Sequence, residues 1–130
     1  MADASYPEDL LYHPEHDWAR IDGETATLGI TWFAQDALGE LVHFEAPEVG
    51  GTLTKDQAYA EVESVKAVSD VVAPLSGEVL EVNPKAVDEP ETVNGDPYGG
   101  GWLVRIRVTD PGEAAQLMDA AAYRAHIAEL

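Results

Sequence analysis

The sequence predicts a mainly β fold with a short helix near residues 31–39 and helices at the C-terminal end. Three observations support this fold class. Several short runs alternate between apolar and polar residues, turn-forming residues separate the runs, and strands and helices do not alternate as in a doubly wound sheet. The length of 130 residues fits one domain, 1–130, because it can bury one sizeable core but leaves little room for a second.

The first half of the chain predicts a hairpin, a helix and a strand. Residues 18–30 form the predicted hairpin, because two strand-like runs flank an Asp-Gly turn. In the helix at 31–39, Thr31 can cap the start and Gly39 can end it. Residues 41–53 predict a strand that runs into a Pro/Gly turn. The helix would place four apolar side chains on one face: Phe33, Ala34, Ala37 and Leu38.

The valine-rich segment 58–84 has two interpretations. Val62, Val65 and Val68 recur every three residues, which suits a helix. The β-branched content and the missing cap favour strands instead. Within this segment, residues 76–82 alternate cleanly and follow a Ser-Gly turn, so they predict a separate strand.

The last third of the chain predicts a loop, a strand and helix. Residues 88–101 carry Pro, Gly and Asn-Gly-Asp-Pro, which indicates a loop, and residues 102–108 alternate as a strand. Asp119 can cap a second helix, so the end of the chain would hold two short ones. The first would begin with an N-cap, a first-turn proline and a capping-box partner: Asp110, Pro111 and Glu113.

The charge of the chain limits its partners. Lysine and arginine number 7 and carboxylates 25, which gives a formal net charge of −18. Such a surface repels phosphate backbones and anionic lipid, so nucleic acid and membranes are poor partners and proteins with basic faces are better ones. The alternative is that the acid only keeps the protein soluble. The chain has no cysteine, no apolar run near the roughly 20 residues of a membrane span, and no secretory or transit signal, so we expect a cytoplasmic location.

Three features suggest sites but have plainer explanations. His13 and His16, with Asp17 beside them, could bind zinc, but Pro14 spoils a helical presentation, and a turn with ordinary hydrogen bonds is favoured. The glycines at 99–101 lack the lysine and helix start of a phosphate loop.

The third of these features is His43, for which a half-buried strand histidine is favoured over a proton shuttle. No carboxylate pair or Ser-His-Asp pattern has the context of a catalytic site. We therefore predict no metal and no catalytic residue.

Lys66 is one of three lysines and stands in a valine-rich run between carboxylates. It could be a surface residue of a strand, a buried catalytic amine, or a residue displayed at a hairpin tip for covalent modification. Two strand-like runs of similar length flank it, and small or β-branched neighbours keep the turn compact, which fits the third interpretation. The Asn-Gly signal of a tight turn is absent, so spacing alone does not decide among the three.

The run VESVKAVSD at 62–70 resembles the lipoyl-lysine motif of the glycine cleavage H-protein family. The form Val-Lys-Ala at its lysine differs from the Asp-Lys-Ala of 2-oxoacid dehydrogenase lipoyl domains and from the Met-Lys-Met of biotin carriers. The resemblance extends from about Tyr6 to the C-terminal helix. Four further segments carry it: HPEHDWARIDGETATLGIT, FAQDALGELVHFEAPEVGGTL, APLSGEVLEVN and VNGDPYGGGWLVRIRV.

The resemblance implies a fold, a cofactor and a role. The fold would be a barrel-sandwich hybrid of the lipoyl and biotinyl carrier type, with the lysine at a hairpin tip and helices at the chain end. Lipoate would be attached by an amide to Lys66. The protein would be a carrier component of glycine catabolism and one-carbon metabolism rather than an enzyme, because the chemistry belongs to the cofactor and to its partner enzymes.

The implied partners are four enzymes. A pyridoxal-phosphate-dependent glycine decarboxylase would load the aminomethyl group, a tetrahydrofolate-dependent aminomethyltransferase would unload it, and a dihydrolipoyl dehydrogenase would reoxidise the dithiol. A lipoate-attaching enzyme would modify the lysine. A monomer is expected, because a carrier has to expose its arm to each of these enzymes.

Several residues match motif positions of the family. Asp17 stands where the family commonly has Glu, in a segment thought to line the cleft of the loaded arm, and His43 is a second candidate for that cleft. Trp32 occupies a position that is usually polar, so it is either a docking patch or a local variation. The residues flanking Lys66 would help the lipoate-attaching enzyme recognise the turn: Glu63, Ser64, Val65, Ala67 and Asp70.

Other roles remain compatible with the sequence alone. Some relatives relay lipoyl groups to other enzymes or carry them in sulfur oxidation, although the match to ordinary H proteins argues mildly against the sulfur branch. A scaffold that is no longer lipoylated and a biotin carrier are further alternatives. The retained Lys66 argues against the former and the missing Met-Lys-Met motif against the latter.

Overall fold

A computed structural model describes residues 6–130 and has the mainly β fold that the sequence predicts. Within that range the strands are β1 (Leu11–His13), β2 (Asp17–Asp22), β3 (Thr25–Ile30), β4 (Leu41–Glu45), β5 (Thr52–Leu53), β6 (Ala58–Ser64), β7 (Val68–Val72), β8 (Gly77–Val82) and β9 (Val104–Val108). The helices are α1 (Trp32–Leu38), α2 (Pro84–Asp88), α3 (Glu91–Gly95) and α4 (Ala120–Ala128), with a 3-10 helix at Pro111–Gln116.

The strands form two antiparallel sheets. A six-stranded sheet has the order β1-β2-β3-β9-β8-β5, and a three-stranded sheet has the order β4-β6-β7. A large hydrophobic cluster fills the core, to which both sheets contribute: Leu28 and Ile106 come from the first and Phe44, Val62 and Val71 from the second. β7 is an edge strand, so one of its backbone edges is free for contacts other than strand pairing.

The predicted hairpin is confirmed as β2 and β3. Asp22 pairs with Thr25, and Gly23 takes a φ of 64° in the turn between them, a conformation that glycine adopts without steric cost. Gly29 lies against the buried indole of Trp18, where an added Cβ would come within 2.6 Å of the ring. The hairpin is therefore fixed by its turn and by this close packing.

The predicted short helix is confirmed as α1, with both of its end signals. The Thr31 hydroxyl accepts from the Ala34 N–H at 3.3 Å, and the Gly39 N–H donates to the Gln35 carbonyl at 2.9 Å. Gly39 has a φ of 85°, which explains why a glycine ends this helix.

The strand interpretation of the valine-rich segment is also confirmed, because β6, β7 and β8 span most of it. The loop prediction for 88–101 is wrong in part. Helix α2 begins at Pro84 and helix α3 occupies Glu91–Gly95. The Asn83 side chain accepts from the Lys85 N–H at 3.1 Å, so an N-cap followed by a first-turn proline was the signal for α2.

The two C-terminal helices are confirmed, but the capping box of the first is wrong. Asp110 makes no side-chain cap to the 3-10 helix. Glu113 instead accepts from the Ser76 N–H at 2.8 Å and from its hydroxyl at 2.9 Å, which ties the segment to the turn before β8. Asp119 caps α4 by accepting from the Ala122 N–H at 2.8 Å.

Helix α4 packs on a second hydrophobic cluster beside β1. Met118 and Tyr12 exchange two backbone hydrogen bonds of 2.8 Å, which bring the end of the chain alongside β1. Tyr123 stacks on Tyr12 with ring centroids 4.8 Å apart, and Trp18 belongs to the same cluster. The C-terminal helix is thereby placed next to the turn between β1 and β2.

Candidate functional site

Lys66 lies at the tip of the tight hairpin between β6 and β7. The Ser64 N–H donates to the Ala67 carbonyl at 2.8 Å and closes the turn. The Ser64 hydroxyl accepts from the Lys66 N–H at 3.2 Å and from the Ala67 N–H at 3.1 Å. Ser64 is buried, whereas Val65, Lys66 and Ala67 are exposed. A buried hydroxyl thus holds the backbone of an exposed lysine in one conformation.

The lysine side chain extends toward the end of α1. A Cβ on Gly39 would lie 3.5 Å from the Lys66 Cε and 4.0 Å from its Nζ. Gly39 directly follows the last residue of α1. The hairpin tip is therefore next to the helix whose apolar face was predicted from the sequence.

That apolar face lines a cavity of about 160 Å³. One wall is α1, a second is the segment at the turn between β1 and β2, and a third is the edge strand β7. The apolar lining consists of Ile30, Phe33, Ala34, Ala37, Leu38, Val62 and Val71, and the polar lining of Glu15, His16, Asp17, Ser69 and Asp70. The cavity is thus a mainly apolar space with carboxylates around it.

Asp17 is the unusual group in this cavity. Its side chain is buried, at 2 % exposure, and accepts a backbone hydrogen bond from Val72 on the edge of β7. Its Oδ2 has no hydrogen-bond partner. Among residues 6–130, the Tyr59 hydroxyl is the other buried side-chain oxygen without one. Burial raises the pKa of Asp17 well above its usual value, and the charge of Glu15 raises it further. A buried oxygen in this state is suited to accept a hydrogen bond from a cation or another donor that enters the cavity.

His16 closes one end of the cavity. Its Nδ1 and the Tyr123 hydroxyl are 2.8 Å apart, and its ring lies 4.5 Å from the ring of Phe33. Burial lowers the pKa of His16, and the nearby His126 lowers it further. The imidazole is therefore neutral near pH 7 and is held by the C-terminal helix.

The outer face of the small sheet carries a carboxylate row next to the lysine hairpin. We use this name for Glu45, Glu61 and Asp70, which lie directly opposite one another across β4, β6 and β7. Like charges in such positions repel each other. Within residues 6–130, no ion pair neutralises any member of the row. The surface around the hairpin is thus strongly acidic.

The expectation that His43 is a half-buried strand histidine is wrong in its burial. His43 is exposed, pairs with Glu63 across the small sheet, and does not line the cavity. The alternation of β4 explains the difference, because Phe44 points into the core and its neighbours point outward.

The histidines near the start of the chain make ordinary hydrogen bonds. His13 Nε2 lies 2.7 Å from an Asp56 carboxylate oxygen, and its Nδ1 accepts from the Glu15 N–H at 3.0 Å. In the described part of the chain, no three side chains are grouped so that they could hold a metal ion. The glycines near 100 wrap around Asp96, whose carboxylate accepts from the Gly100 N–H at 3.0 Å.

Comparison with known proteins places this geometry in a family. The family model for the glycine cleavage H-protein matches residues 10–130. The chain belongs to the glycine cleavage H-protein family. The H protein of Symbiobacterium thermophilum is 49% identical, with 97% of this chain and 98% of that protein covered. The H protein of Marinobacter nauticus is 50% identical, with 94% of this chain and 95% of that protein covered.

A solved structure agrees with this assignment. The crystal structure of a glycine cleavage system H protein from Mycobacterium marinum superposes with a TM-score of 0.87 at 42% identity, over 94% of this chain and 98% of that one. The barrel-sandwich fold predicted from the resemblance is confirmed. As a member of this family, the chain is a lipoyl carrier of the glycine cleavage system and a component of glycine catabolism, not a catalytic enzyme in itself.

Trp32 is part of the structure rather than an exposed patch. Its side chain is half-buried against the second hydrophobic cluster, and its backbone N–H donates to the Tyr98 hydroxyl at 2.9 Å. Among residues 6–130, no helix is long and apolar enough to cross a membrane.

Some of the cavity residues were predictable from the sequence and others were not. His16, Asp17, Asp70 and the apolar residues of α1 were named, but nothing connected them. Glu15 and Ser69 in the lining were missed, as was Tyr123, which contacts His16 from outside the cavity. No local signal marks Tyr123, which is 107 residues from His16 in the chain and reaches it only through the packing of α4.

Proposed function

We propose that Lys66 carries lipoate in amide linkage and that the cavity beside α1 shelters the loaded arm. When bound, lipoate supplies a disulfide that takes up the aminomethyl group of glycine and, after transfer, a dithiol that can be reoxidised. The residues present fit such a group in two respects. The lysine is exposed on a rigid turn, and the nearby cavity combines apolar walls with a buried, unpartnered carboxylate oxygen.

The hairpin presents the lysine to modifying and partner enzymes. The Ser64 hydroxyl and the short turn fix the backbone, so only the side chain of Lys66 is free to move. This lowers the conformational entropy lost when an enzyme binds the turn. The exposed Val65, at 80 % exposure, and the flanking Glu63 and Asp70 give the enzyme features to recognise around the lysine.

Asp17 is the residue we propose to bind the amine of the cargo. Its unpartnered Oδ2 is the single observation that carries this proposal. An ammonium group within hydrogen-bond reach would stabilise the ionised carboxylate and remove the cost of burying it alone. The apolar wall formed by Phe33, Ala37 and Leu38 would exclude water from the cargo. Asp17 would thus accept a hydrogen bond from the amine of the cargo, and α1 would keep water away from it.

The acidic surface suits transient docking to several enzymes in turn. The carboxylate row lies beside the lysine hairpin, so partners with basic docking faces would be steered toward the arm. The partners we propose are the decarboxylase, the aminomethyltransferase, the dihydrolipoyl dehydrogenase and the lipoate-attaching enzyme. Monomeric state and cytoplasmic location remain predictions.

The test of attachment is the intact mass of the protein purified from its native cells, with peptide mapping of residues 56–85. A lipoyl mass on Lys66 that is absent in Lys66→Arg supports the proposal, since arginine keeps the charge but cannot be acylated in this way. An unmodified Lys66, even after incubation with lipoate and a ligase, would show that the hairpin is not an attachment site.

The test of sheltering compares the loaded protein with Asp17→Asn. The variant keeps the shape of the side chain and removes its charge. We expect it to be lipoylated normally but to lose the loaded aminomethyl group to water faster, as measured by mass. Equal retention by both proteins would remove Asp17 from the proposal.

A further inference from the structure

The Tyr123 hydroxyl connects two walls of the cavity beside α1, which we call the arm cavity. It lies 2.8 Å from the His16 Nδ1 on one side and 2.8 Å from the Thr31 Oγ1 on the other. His16 belongs to the wall at the β1–β2 turn, and Thr31 is the N-cap of α1, which forms the opposite wall. A further bond from the Thr31 N–H to the His16 carbonyl, at 3.1 Å, closes the same junction.

The backbone at this junction is held in an uncommon conformation. His16 has a φ of 75°, which side-chain-bearing residues adopt only at a cost unless other contacts hold them. The residue directly after it is Asp17, so the position of His16 sets the direction from which the carboxylate enters the cavity. The Tyr123 hydroxyl is one of the contacts that keep His16 in place.

We propose that Tyr123 is a positioning residue for the carried group, through which the C-terminal helix sets the width of the arm cavity. The proposal rests on the proposed sheltering of the loaded arm. Without the hydroxyl, the β1–β2 turn and the start of α1 would separate more readily, and water would reach the cavity. No atom of Tyr123 lines the cavity itself.

The hydrogen-bond chain is chemically complete with a neutral His16. The Tyr123 hydroxyl has one proton for two partners. With the proton of neutral His16 on Nε2, the hydroxyl donates to Nδ1 and accepts from the Thr31 hydroxyl; with the proton on Nδ1, it accepts from the ring and donates to the Thr31 hydroxyl. Burial raises the pKa of Tyr123, so its proton is retained throughout the neutral range.

The rest of the Tyr123 environment keeps its ring in place when the hydroxyl is removed. The ring stacks on Tyr12 and packs edge-on against Tyr6, at centroid distances of 4.8 and 5.4 Å. Helix α4 is also held by the Asp119 cap and by the pairing of Met118 with β1. Tyr123→Phe therefore removes two hydrogen bonds at the cavity junction and leaves the docking of the helix intact.

Tyr12→Phe is the matched control. It removes a hydroxyl from the same aromatic cluster, but the Tyr12 hydroxyl donates to the Pro7 carbonyl at 2.7 Å and touches neither wall of the cavity. Both variants, together with the wild type, are lipoylated and loaded with the aminomethyl group by a decarboxylase of this system. The enzyme is then removed and the loss of the load to water is followed by intact mass, with unfolding midpoints measured in parallel.

We expect Tyr123→Phe to lose its load about fivefold faster than wild type, the factor that corresponds to roughly 1 kcal/mol for a buried hydrogen bond. Tyr12→Phe should lose stability similarly but retain its load like wild type. Equal loss rates for the two variants would overturn the proposal, because they would show a purely structural role. If Tyr123→Phe fails to fold, the test is repeated with Thr31→Val and Thr31→Ser. We expect faster loss of the load only for Thr31→Val. Equal loss rates for these two variants would again overturn the proposal.

The outcome is separable from failure of the proposed function. Absence of lipoate on Lys66, or unchanged retention in Asp17→Asn, counts against the arm site itself. Normal retention in Tyr123→Phe with rapid loss in Asp17→Asn counts only against the role of the C-terminal helix.

Discussion

Asp17 should reduce the stability of the empty protein, and Asp17→Asn should recover it. The carboxylate is buried, one of its oxygens has no partner, and burial together with Glu15 raises its pKa. Asparagine has nearly the same shape and can keep the hydrogen bond from Val72 through its carbonyl oxygen. The substitution therefore removes a buried ionisable group without leaving a cavity or losing the one bond that is made.

The magnitude follows from the cost of an unsatisfied buried polar group, about 1–3 kcal/mol and more for a charged one. Part of this cost remains in the variant, because the amide N–H groups also lack partners. We expect a net stabilisation of about 1–2 kcal/mol at pH 7. For a chain of this length, 1 kcal/mol corresponds to roughly 3–6 °C in Tm.

The sign of the pH dependence follows from the raised pKa. The folded state keeps a proton on Asp17 in a range where the unfolded state has released it, so wild-type stability falls as pH rises from the unfolded pKa of about 3.9 toward the raised folded pKa. Asparagine does not titrate. The stability gain of the variant should therefore be small near pH 4 and grow with rising pH until Asp17 is ionised in both states.

The assay is urea unfolding of both proteins without a loaded arm at several pH values between 4 and 8, with the difference in unfolding free energy plotted against pH. A variant that is less stable than wild type at pH 7 would refute the reasoning. A stability difference that does not change with pH would refute it equally, because the effect would then not come from a buried charge.

Three further substitutions test other parts of the site and fold. Ser64→Ala should slow lipoate attachment severalfold and lower the free energy of unfolding by about 1 kcal/mol, because two backbone N–H groups of the hairpin lose their acceptor. The control Ser69→Ala should change neither. Attachment is followed by mass. Glu61→Gln should stabilise the folded protein by about 0.5 kcal/mol at low salt and have little effect at high salt, because it interrupts the carboxylate row. Unchanged stability at low salt would contradict this. Gly29→Ala should cost about 2 kcal/mol or more through the clash with the indole, while Gly95→Ala, which meets open space, should be neutral or slightly stabilising in denaturant unfolding.

The local elements of this fold were predictable from short-range chemistry. Thr31 and Gly39 mark the ends of α1 through bonds that span at most four residues. The hairpin at Gly23 follows from a turn that needs a positive φ. The same chemistry marks a helix that was overlooked, because Asn83 followed by Pro84 is an N-cap signal for α2, whereas α3 begins without a side-chain cap and gave no such signal.

The capping box at the C-terminal end failed for a different reason. Glu113 has the right spacing from Asp110, but Ser76 offers it two donors from a distant turn, at 2.8 and 2.9 Å. A local pattern predicts a cap only while no tertiary partner competes for the same carboxylate.

The cavity could not be predicted because its parts meet only in the folded chain. The sequence places Asp17 in a strand and gives α1 an apolar face, yet neither pattern shows that the two face each other across a cavity. His43 shows the opposite error, in which the sequence neighbours of a residue suggest burial that the fold does not give it. It has apolar neighbours in the sequence, but β4 turns it outward toward Glu63.

The proposed attachment and the proposed sheltering of the arm therefore rest on separate physical bases. The lysine hairpin depends on hydrogen bonds within residues 64–67, so an attaching enzyme can recognise it as a local structure. The cavity depends on segments from both ends of the chain, which meet at the Tyr123 hydroxyl and leave Asp17 buried without a partner. Because a buried unpaired carboxylate lowers stability until a cation binds it, the cavity would, under the proposed function, favour the loaded arm over the empty one. Loading and unloading by partner enzymes would then shift the arm between a sheltered and an exposed state without any change in the fold.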